Sequence, residues 1–227
     1  MVKVVGGTFQ MGATSEQFND YEKREFPVHQ VTLSDYYIGE TEVTRELWKA
    51  VMGSNRPSQF SDPDQLPVEC VTWYDCQEFI AKLNQLTGQN FRLPTEAEWE
   101  LAARGGNASK GYKYAGSDII DDVAWYRGNS SLKTHEVGTK FPNELGLYDM
   151  SGNVYEWCQD WYGEYNYSSD SQINPQGPPP PQGLLSGSAR VIRGGDWHDY
   201  AGSCRVSYRS HCNPEASFSG CGFRLAQ

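Results

Sequence analysis

The side chains best suited to chemistry lie between Gly194 and Arg224, where the sequence reads GGDWHDYAGSCRVSYRSHCNPEASFSGCGFR. Its histidines, aspartates, tyrosines and cysteines offer acid–base groups, hydrogen-bond partners and thiols. These residues follow neither a helical nor a strand-like period. Gly, Trp, Arg and Phe residues recur around them. The pattern indicates an irregular segment of mixed chemistry that is held by a few structural residues.

The composition of the whole chain narrows the classes of function. A length of 227 residues with 38% hydrophobic and 13% aromatic residues is typical of one folded domain with a sizeable core. A formal net charge of −10 argues against nucleic acid and against anionic membranes, both of which attract basic proteins. No apolar run reaches the roughly 18 residues needed to cross a bilayer. The N-terminal MVKVVGGTFQMG lacks a signal-peptide core, so we expect a chain that is not exported or one that has lost its leader.

The cysteines and histidines show no metal-binding spacing. No CxxC pair occurs, which argues against structural zinc, and a chain of this length does not need disulfides. We therefore predict mostly reduced thiols at Cys70, Cys76, Cys158, Cys204, Cys212 and Cys221. We expect hydrogen-bonded or surface histidines rather than a metal triad at His29, His135, His198 and His211.

Helix-capping residues predict three helices. Thr44 precedes RELWKAVMG, Thr72 precedes WYDCQEFIAKLNQLTG, and Thr95 forms a capping-box pattern with Glu98 before EAEWELAARGG. Strands are predicted in VKVVGGTFQMG, VHQVTLSDYYIG, FRLP and RVIRGG, and a Pro/Gly/Ser-rich loop over residues 174–190. The chain is therefore expected to form one α+β domain over residues 1–227.

Several motifs together resemble a known family. GGTFQMG, PVHQVTL, ETEVT, RLPTEAEWELAARGG, GLYDMSGNVYEWCQDWY, RVIRGG and GFRLA occur in this order. In that order they are similar to the formylglycine-generating-enzyme (sulfatase-modifying factor) family. The resemblance covers Val4 to Ala226 and implies a variant of the C-type lectin fold. Such a fold has a small twisted antiparallel sheet, two to three helices and much irregular structure.

The oxidase members of this family hold copper through two closely spaced cysteines that follow a GGS[YW] motif. Here GGDW is followed by His198, Asp199 and Tyr200, and Cys204 falls outside both catalytic positions when Arg205 and Arg209 are used as anchors. Because the soft thiolate pair that suits copper(I) is missing, we expect no copper and no enzymatic activity. A copper-dependent oxidase, or a degenerate relative of one, is the alternative.

A subset of the family is more similar. RGGDW, CRVSYR and GFRLA resemble the invariant parts of the variable proteins of diversity-generating retroelements, which implies that residues 190–227 form a variable region. The resemblance implies fourteen candidate variable positions, which are Asp196, His198, Asp199, Tyr200, Ser203, Tyr208, Ser210, His211, Cys212, Ala216, Phe218, Ser219, Gly220 and Cys221. None of them is Lys, Gln, Glu, Met or Trp, as expected when the adenines of AAC codons are mutated.

This resemblance implies a non-enzymatic ligand-binding protein of a bacterium or phage. Its partner would be an unknown protein or a cell-surface ligand, and neither nucleic acid nor a membrane span is expected. A cell surface or a phage particle is the favoured location, and a cytoplasmic one stays open. A structural or accessory domain whose C-terminal segment has no ligand is a third interpretation.

A segment of this kind must separate structural residues from changeable ones. Large buried aromatics and multidentate arginines can fix an irregular backbone, while exposed positions tolerate substitution. We expect burial of four residues, Trp197, Arg205, Arg209 and Phe223. We expect exposure on one face of four others, Tyr200, Tyr208, His211 and Phe218.

The motif DMSGNVYEW matches a calcium-binding segment of the oxidase relatives. By that match, Asp149 and Glu156 would supply carboxylates, and Gly152 and Val154 would supply carbonyl groups. Hard oxygen ligands of this kind suit calcium. The alternative role for both carboxylates is hydrogen bonding to nearby backbone.

Overall fold

The computed structural model describes residues 1–17, 22–54, 58–60, 63–163, 170–179 and 188–227. These residues form the helices α1 (Arg45–Met52), α2 (Trp73–Thr87), α3 (Glu96–Ala103) and α4 (Ile120–Val123). The strands are β1 (Val2–Val4), β2 (Gly7–Met11), β3 (His29–Leu33), β4 (Tyr36–Ile38), β5 (Tyr155–Trp161), β6 (Gln172–Ile173), β7 (Arg190–Arg193), β8 (Arg209–Cys212) and β9 (Cys221–Gly222). None of the helices in these ranges is long and apolar enough to cross a membrane.

Local capping fixes the three long helices. Thr44, Thr72 and Thr95 each accept a hydrogen bond from the backbone N–H three residues further on. Gly53 and Gly88 end α1 and α2 in the left-handed conformation, with φ of 79° and 69°. The predicted helices are therefore confirmed, because the signals that start and stop them lie within a few residues of each helix end.

The strands form three small sheets. The largest has the order β8-β7-β5-β9, the second has the order β2-β3-β6, and β1 pairs with β4. Most pairings are antiparallel as expected, but β3 with β6 and β5 with β9 are parallel. The predicted strand in FRLP is wrong, since Arg92 forms only an isolated bridge to Ala226. The predicted strands at the N-terminus and in RVIRGG are confirmed.

Strand β5 was not predicted, and its surroundings explain why. Trp157 packs in the core between the sheet and helices α1 and α2, whereas its neighbour Cys158 packs in a second core against α3. On β7, Ile192 and Val191 divide between the same two cores. A strand that is buried on both faces has no polar–apolar alternation to reveal it.

Four arginines of the C-terminal segment form ion pairs with glutamates from elsewhere in the chain. The eight side chains are at most 6% exposed. The pairs are Arg193–Glu100, Arg205–Glu25, Arg209–Glu96 and Arg224–Glu156. Three of them are bidentate, with N–O distances of 2.6–2.7 Å, the geometry in which Arg–carboxylate pairs are strongest.

The Arg205–Glu25 pair shows the electrostatic balance of these contacts. Burial alone would raise the pKa of Glu25, but hydrogen bonds from Arg205 and Ser207 hold it below its usual value. A carboxyl group whose pKa falls on folding stabilises the folded state at neutral pH, and this stabilisation is lost as the pH falls. The pair therefore contributes to stability only while Glu25 is ionised.

Replacing Glu25 by Gln should leave the buried Arg205 guanidinium without a counter-ion. We expect the free energy of unfolding to fall by about 3–5 kcal/mol, the usual cost of breaking a buried pair. Denaturant titration at neutral pH measures the change. Glu215→Gln, at an exposed carboxylate of the C-terminal segment, is the control and should have little effect. Equal costs for the two variants would contradict the structural role of the pair.

Candidate ligand-binding surface

Two glycines follow β7 and turn the chain toward the candidate variable positions, which begin at Asp196. Gly194 and Gly195 have φ of 99° and 75°, a region that favours glycine. A Cβ atom on Gly195 would lie 2.9 Å from both Cys204 Sγ and Ser203 O. The glycine pair therefore allows the backbone of residues 195 and 203 to approach closely.

Trp197 fixes the segment that follows. Its backbone N–H donates to Asn153 O (2.9 Å), and its indole N–H donates to Ser219 O (3.0 Å). Its own carbonyl group accepts a hydrogen bond from Ser130 Oγ at 2.7 Å. The ring of Phe60 meets the indole edge to face, with centroids 5.4 Å apart. Trp197 therefore links the beginning of the candidate variable region to Ser219, near its end.

The expected burial of the framework residues, by which we mean Trp197, Arg205, Arg209 and Phe223, is confirmed. Their exposed fractions are 8%, 1%, 3% and 0%. Phe223 packs between Phe79 and Trp48, with ring centroids 5.3 and 6.4 Å away. Buried aromatic and guanidinium groups therefore fix the backbone of the C-terminal region to the core.

The candidate variable positions divide into three groups by exposure. The exposed ones are His198, Tyr200 and His211. The half-buried ones are Asp199, Ser203, Ser210, Cys212, Ala216, Phe218 and Ser219. The buried ones are Asp196, Tyr208, Gly220 and Cys221. Of the four positions expected to be exposed, Tyr200 and His211 are exposed, but the expectation is wrong for buried Tyr208 and for half-buried Phe218. Ligand binding by any of the fourteen positions stays a prediction.

Tyr208 is buried because a distant arginine covers it. It is 9% exposed, and its hydroxyl accepts a hydrogen bond from Arg24 Nη2 at 2.9 Å. The Arg24 guanidinium carbon lies 4.8 Å from the centre of the ring. Phe218 is only half-exposed, since its ring packs against the core under α2. Cys221 is fully buried on β9, opposite Tyr155 of β5.

Asp196 and Gly220 are buried because they occupy one small space. Asp196 Oδ1 accepts a hydrogen bond from the His198 N–H at 2.8 Å. A Cβ atom on Gly220 would lie only 1.8 Å from Asp196 Oδ2. Burial, followed by repulsion from Asp199, raises the pKa of Asp196 to about 7. A side chain at position 220 therefore requires Asp196 to move or to be smaller.

The exposed positions near Trp197 are organised by Arg127. The Arg127 guanidinium carbon lies 5.0 Å from the centre of the Tyr200 ring, and Nη1 lies 3.4 Å from His198 Nε2. The Arg127 backbone N–H donates to Asp199 O at 2.9 Å. Sequence analysis missed this residue, because a single arginine in a loop of ordinary composition gives no signal of such a role.

A second group of positions lies on β8. The ring of Tyr162 stacks on exposed His211 with centroids 4.2 Å apart, and the Arg209 guanidinium carbon lies 5.0 Å from the Tyr162 ring centre. Burial raises the pKa of the Tyr155 phenol, and the charge of Asp199 and the nearby Tyr208 raise it further.

The cysteines of the segment are poor nucleophiles. Cys204 is fully buried, and burial together with Asp199 and Asp196 raises the pKa of its thiol well above the usual value. Burial also raises the pKa of Cys221 well above its usual value and that of Cys212 to a smaller extent. Because the thiolate is both the nucleophile and the metal ligand, these thiols are ill-suited to copper chemistry. No disulfide bond joins any two of the six cysteines, all of which lie in the described residues.

The carboxylates predicted to bind calcium have different surroundings. Glu156 accepts hydrogen bonds from Arg224 and from the Trp99 indole N–H at 2.7 Å. Asp149 Oδ2 accepts one from the Gly138 N–H at 2.7 Å, but its Oδ1 has no hydrogen-bond partner. Neither carboxylate oxygen of Glu42 has one either. Glu42 and Asp149 are each 2% exposed, so their unpartnered oxygens are costly.

Glu42 lies beside Asp149, since each carboxyl group affects the pKa of the other. Burial and then the Asp149 charge raise the pKa of Glu42 well above its usual value, and burial raises the pKa of Asp149 to about 6. In the described ranges, no group of three or more His, Cys, Asp or Glu side chains is arranged to hold a metal ion. A cation here would depend on two carboxylates and on backbone carbonyl groups. Sequence analysis missed Glu42 because it lies far from the DMSGNVYEW motif.

Truncation of two tyrosines in the C-terminal region should lower the free energy of unfolding by very different amounts. Tyr208→Ala should lower the free energy of unfolding by about 3–5 kcal/mol, since it removes a buried aromatic ring. Tyr200, which is 71% exposed, should cost less than about 1 kcal/mol when replaced by Ala. Denaturant titration of both variants compares them. Equal losses would show that position 200 is structural too.

Positions 196 and 220 should be energetically coupled. Gly220→Ala should destabilise the wild type, because its Cβ meets Asp196, and should cost much less in an Asp196→Gly background. A double-mutant cycle measures the coupling, which we expect within the range of about 0.5–3 kcal/mol found for contacting residues. Gly202→Ala, where an added Cβ meets nothing within 4 Å, is the control for both backgrounds. Additive effects of the two substitutions would contradict the shared space.

Comparison with known proteins places this geometry in a family. The model of the sulfatase-modifying factor enzyme 1-like domain matches residues 1–227. The solved structure of Treponema denticola variable protein 1 superposes with a TM-score of 0.86 and 37% identity, over 100% of this chain and 94% of that one. The formylglycine-generating enzyme of Streptomyces coelicolor is 31% identical, over 99% of this chain and 88% of the enzyme.

A third relative shows that the same domain occurs in longer proteins. The serine/threonine-protein kinase pkn1 of Chlamydia pneumoniae is 35% identical over the whole of this chain, which spans 38% of the kinase's length. The predicted α+β fold of C-type lectin type is confirmed by the superposition on the variable protein. The chain belongs to the sulfatase-modifying factor enzyme 1-like family, in which it resembles a variable protein.

Proposed function

We propose that this protein binds a ligand without catalysis and presents a diversified surface built from residues 190–227. The observation that carries the proposal is the separation of roles within that segment. Framework residues are buried and paired, while His198, Tyr200 and His211 are exposed between them. The 37% identity to a protein named as variable supports the same interpretation.

The exposed chemistry suits recognition of a large partner. Aromatic and histidine rings give contact area with few rotatable bonds, and the serines nearby give adaptable hydrogen bonds, as in antibody paratopes. A protein or another cell-surface molecule is therefore the proposed class of ligand. Such a partner suits a binding protein carried on a cell surface or on a phage particle.

The alternative function is copper-dependent formylglycine formation, which the related enzymes favour. The position of Cys204 argues against it. This thiol is fully buried, and the neighbouring Asp199 and Asp196 disfavour its thiolate. A reactive cysteine needs an electropositive, partly exposed environment, and Cys204 has neither property.

The DNA around the coding sequence tests the proposal most directly. We expect a nearby non-coding near-copy of the codons for residues 190–227, which differs from them only where the copy carries adenine. At the protein level, the purified chain with added copper should leave a cysteine-containing sulfatase peptide unchanged by mass.

Two results would overturn this function. One is an intact locus, sequenced on both sides, without such a near-copy. The other is formylglycine in the peptide that disappears when Cys204 is replaced by Ala. Tyr200→Ala is the matched control for the second result, because it alters the exposed surface and leaves the thiol in place.

We further propose that Asp149 and Glu42 hold a structural calcium ion with backbone carbonyl groups of the DMSGNVYEW segment. The unpartnered oxygens of both carboxylates support this site. The sequence motif also predicts Glu156 as a ligand, but that carboxylate already neutralises Arg224. Glu42 would supply the second carboxylate instead, with Gly152 and Val154 as the candidate carbonyl donors.

Removal of calcium should therefore destabilise the protein. A bound ion at a hundred times its Kd adds about 2.7 kcal/mol to stability, so a chelator should lower the melting temperature and added calcium should restore it. Glu42→Gln should abolish this response, whereas Asp64→Asn, at an exposed residue, should keep it. Identical melting curves of metal-free and calcium-supplied wild type would contradict the site.

A further inference from the structure

A cavity lies beside the candidate variable segment but is built almost entirely from other parts of the chain. Its volume is about 270 Å³. The first turn of α3 and the end of β5 form one side, and the segment after β6, with Gly177 and Pro178, forms the other. Pockets for drug-sized ligands usually measure about 300–1,000 Å³. This cavity therefore suits a single side chain or a small molecule.

The described lining of the cavity contains two carboxylates, Glu96 and Asp160, but only one arginine, Arg209. Glu96 is neutralised by Arg209 through hydrogen bonds of 2.7 and 2.6 Å. Asp160, which is 4% exposed, accepts a hydrogen bond from the Glu96 backbone N–H at 2.8 Å. The described lining contains no second arginine or lysine. Residues 164–169 and 180–187, which follow Gly163 and Pro179 in the sequence, contain no Lys, Arg or His.

The energetics of Asp160 agree with this imbalance. Burial, followed by repulsion from Glu96, raises the pKa of Asp160 to about 7. Among the described residues Asp160 forms no ion pair, and a buried carboxylate without one is costly to ionise. A cation brought in by a ligand would offset that cost and would draw the proton off Asp160.

We propose that this cavity binds a primary ammonium group on a short apolar chain, such as a lysine side chain of a partner, with Asp160 as its counter-ion. The remaining walls suit the methylene chain. Met11, Ala97 and Pro175 present apolar surface around the charged end, and long aliphatic amines bury their stems in such surroundings.

The site lies next to the proposed binding surface. Arg209 forms part of the cavity wall, and the ring of Tyr162 bridges from Arg209 to exposed His211. A partner whose lysine enters the cavity would therefore extend past a candidate variable position. The cavity would give a changing surface one constant anchor, although the ammonium site itself does not depend on diversification.

Any test must separate the effect of Asp160 on binding from the effects of the other titratable and charged groups that face it. They are His29 on β3, Glu96 and Glu98 on α3, Cys158 on β5, Arg190 on β7 and Arg209 on β8, together with Arg92 before α3. Histidine gains a proton over the same pH range as a carboxyl group with a pKa near 7. A His29→Asn variant is therefore needed beside the wild type to separate the two groups.

Calorimetry of the full chain with N-acetyl-lysine methylamide tests the site, and the norleucine analogue is the matched probe without the charge. The lysine probe should bind at pH 8 and the norleucine probe should not. Because Asp160 must lose a proton, affinity should fall about tenfold between pH 8 and pH 6, with proton release at the lower pH. Both effects should persist in His29→Asn.

Asp160→Asn keeps an acceptor for the Glu96 N–H and should abolish binding of the lysine probe while the melting curve shows a folded protein. Three outcomes would overturn the proposal. They are equal binding of both probes, wild-type affinity in the folded Asp160→Asn variant, and no binding of the lysine probe to wild type at millimolar concentration. The first and third use the wild type alone, so the proposal stays testable even if the variant does not fold.

Discussion

Buried ion pairs between arginine and glutamate are the constraint on which the structure of residues 190–227 depends. Each of the four arginines comes from residues 190–227, and each glutamate comes from a distant part of the chain, including α3 and β5. A buried guanidinium that loses its partner leaves an uncompensated charge. Any shift of the irregular backbone would break several such contacts at once. The pairs therefore define one path for a segment that has few regular hydrogen bonds of its own.

This constraint explains how a changeable surface can stay rigid. On β8, Arg209 points inward to Glu96, while the following His211 is exposed and stacks on Tyr162. The residue that fixes the strand is thus distinct from the exposed candidate variable position beside it. A surface whose backbone is already ordered loses less conformational entropy on binding. Arg127 adds to this order from outside the segment, since it contacts both His198 and Tyr200.

The parts of the structure that were predictable depend on local signals. The helices begin at Thr44, Thr72 and Thr95 because each cap acts within one turn. The framework residues followed from the family resemblance together with the expectation that Trp and Arg hold irregular backbone. Burial of Tyr208 depends on Arg24 and could not be predicted, because no local pattern joins these two residues. The same holds for Glu42 beside Asp149, and β5 was hidden by burial on both of its faces.

The exposure pattern also limits what diversification can achieve. Positions 196 and 220 share one space, so they cannot change independently, and Tyr208 and Cys221 belong to the core. The changeable surface therefore has one group of positions around Tyr200 and another around His211. The buried phenol of Tyr155 lies beneath the first group, where the charge of Asp199 raises its pKa. Under the proposed function, a partner that uses the whole surface must contact both groups, which favours a protein-sized ligand over a small molecule as the target of the candidate variable positions.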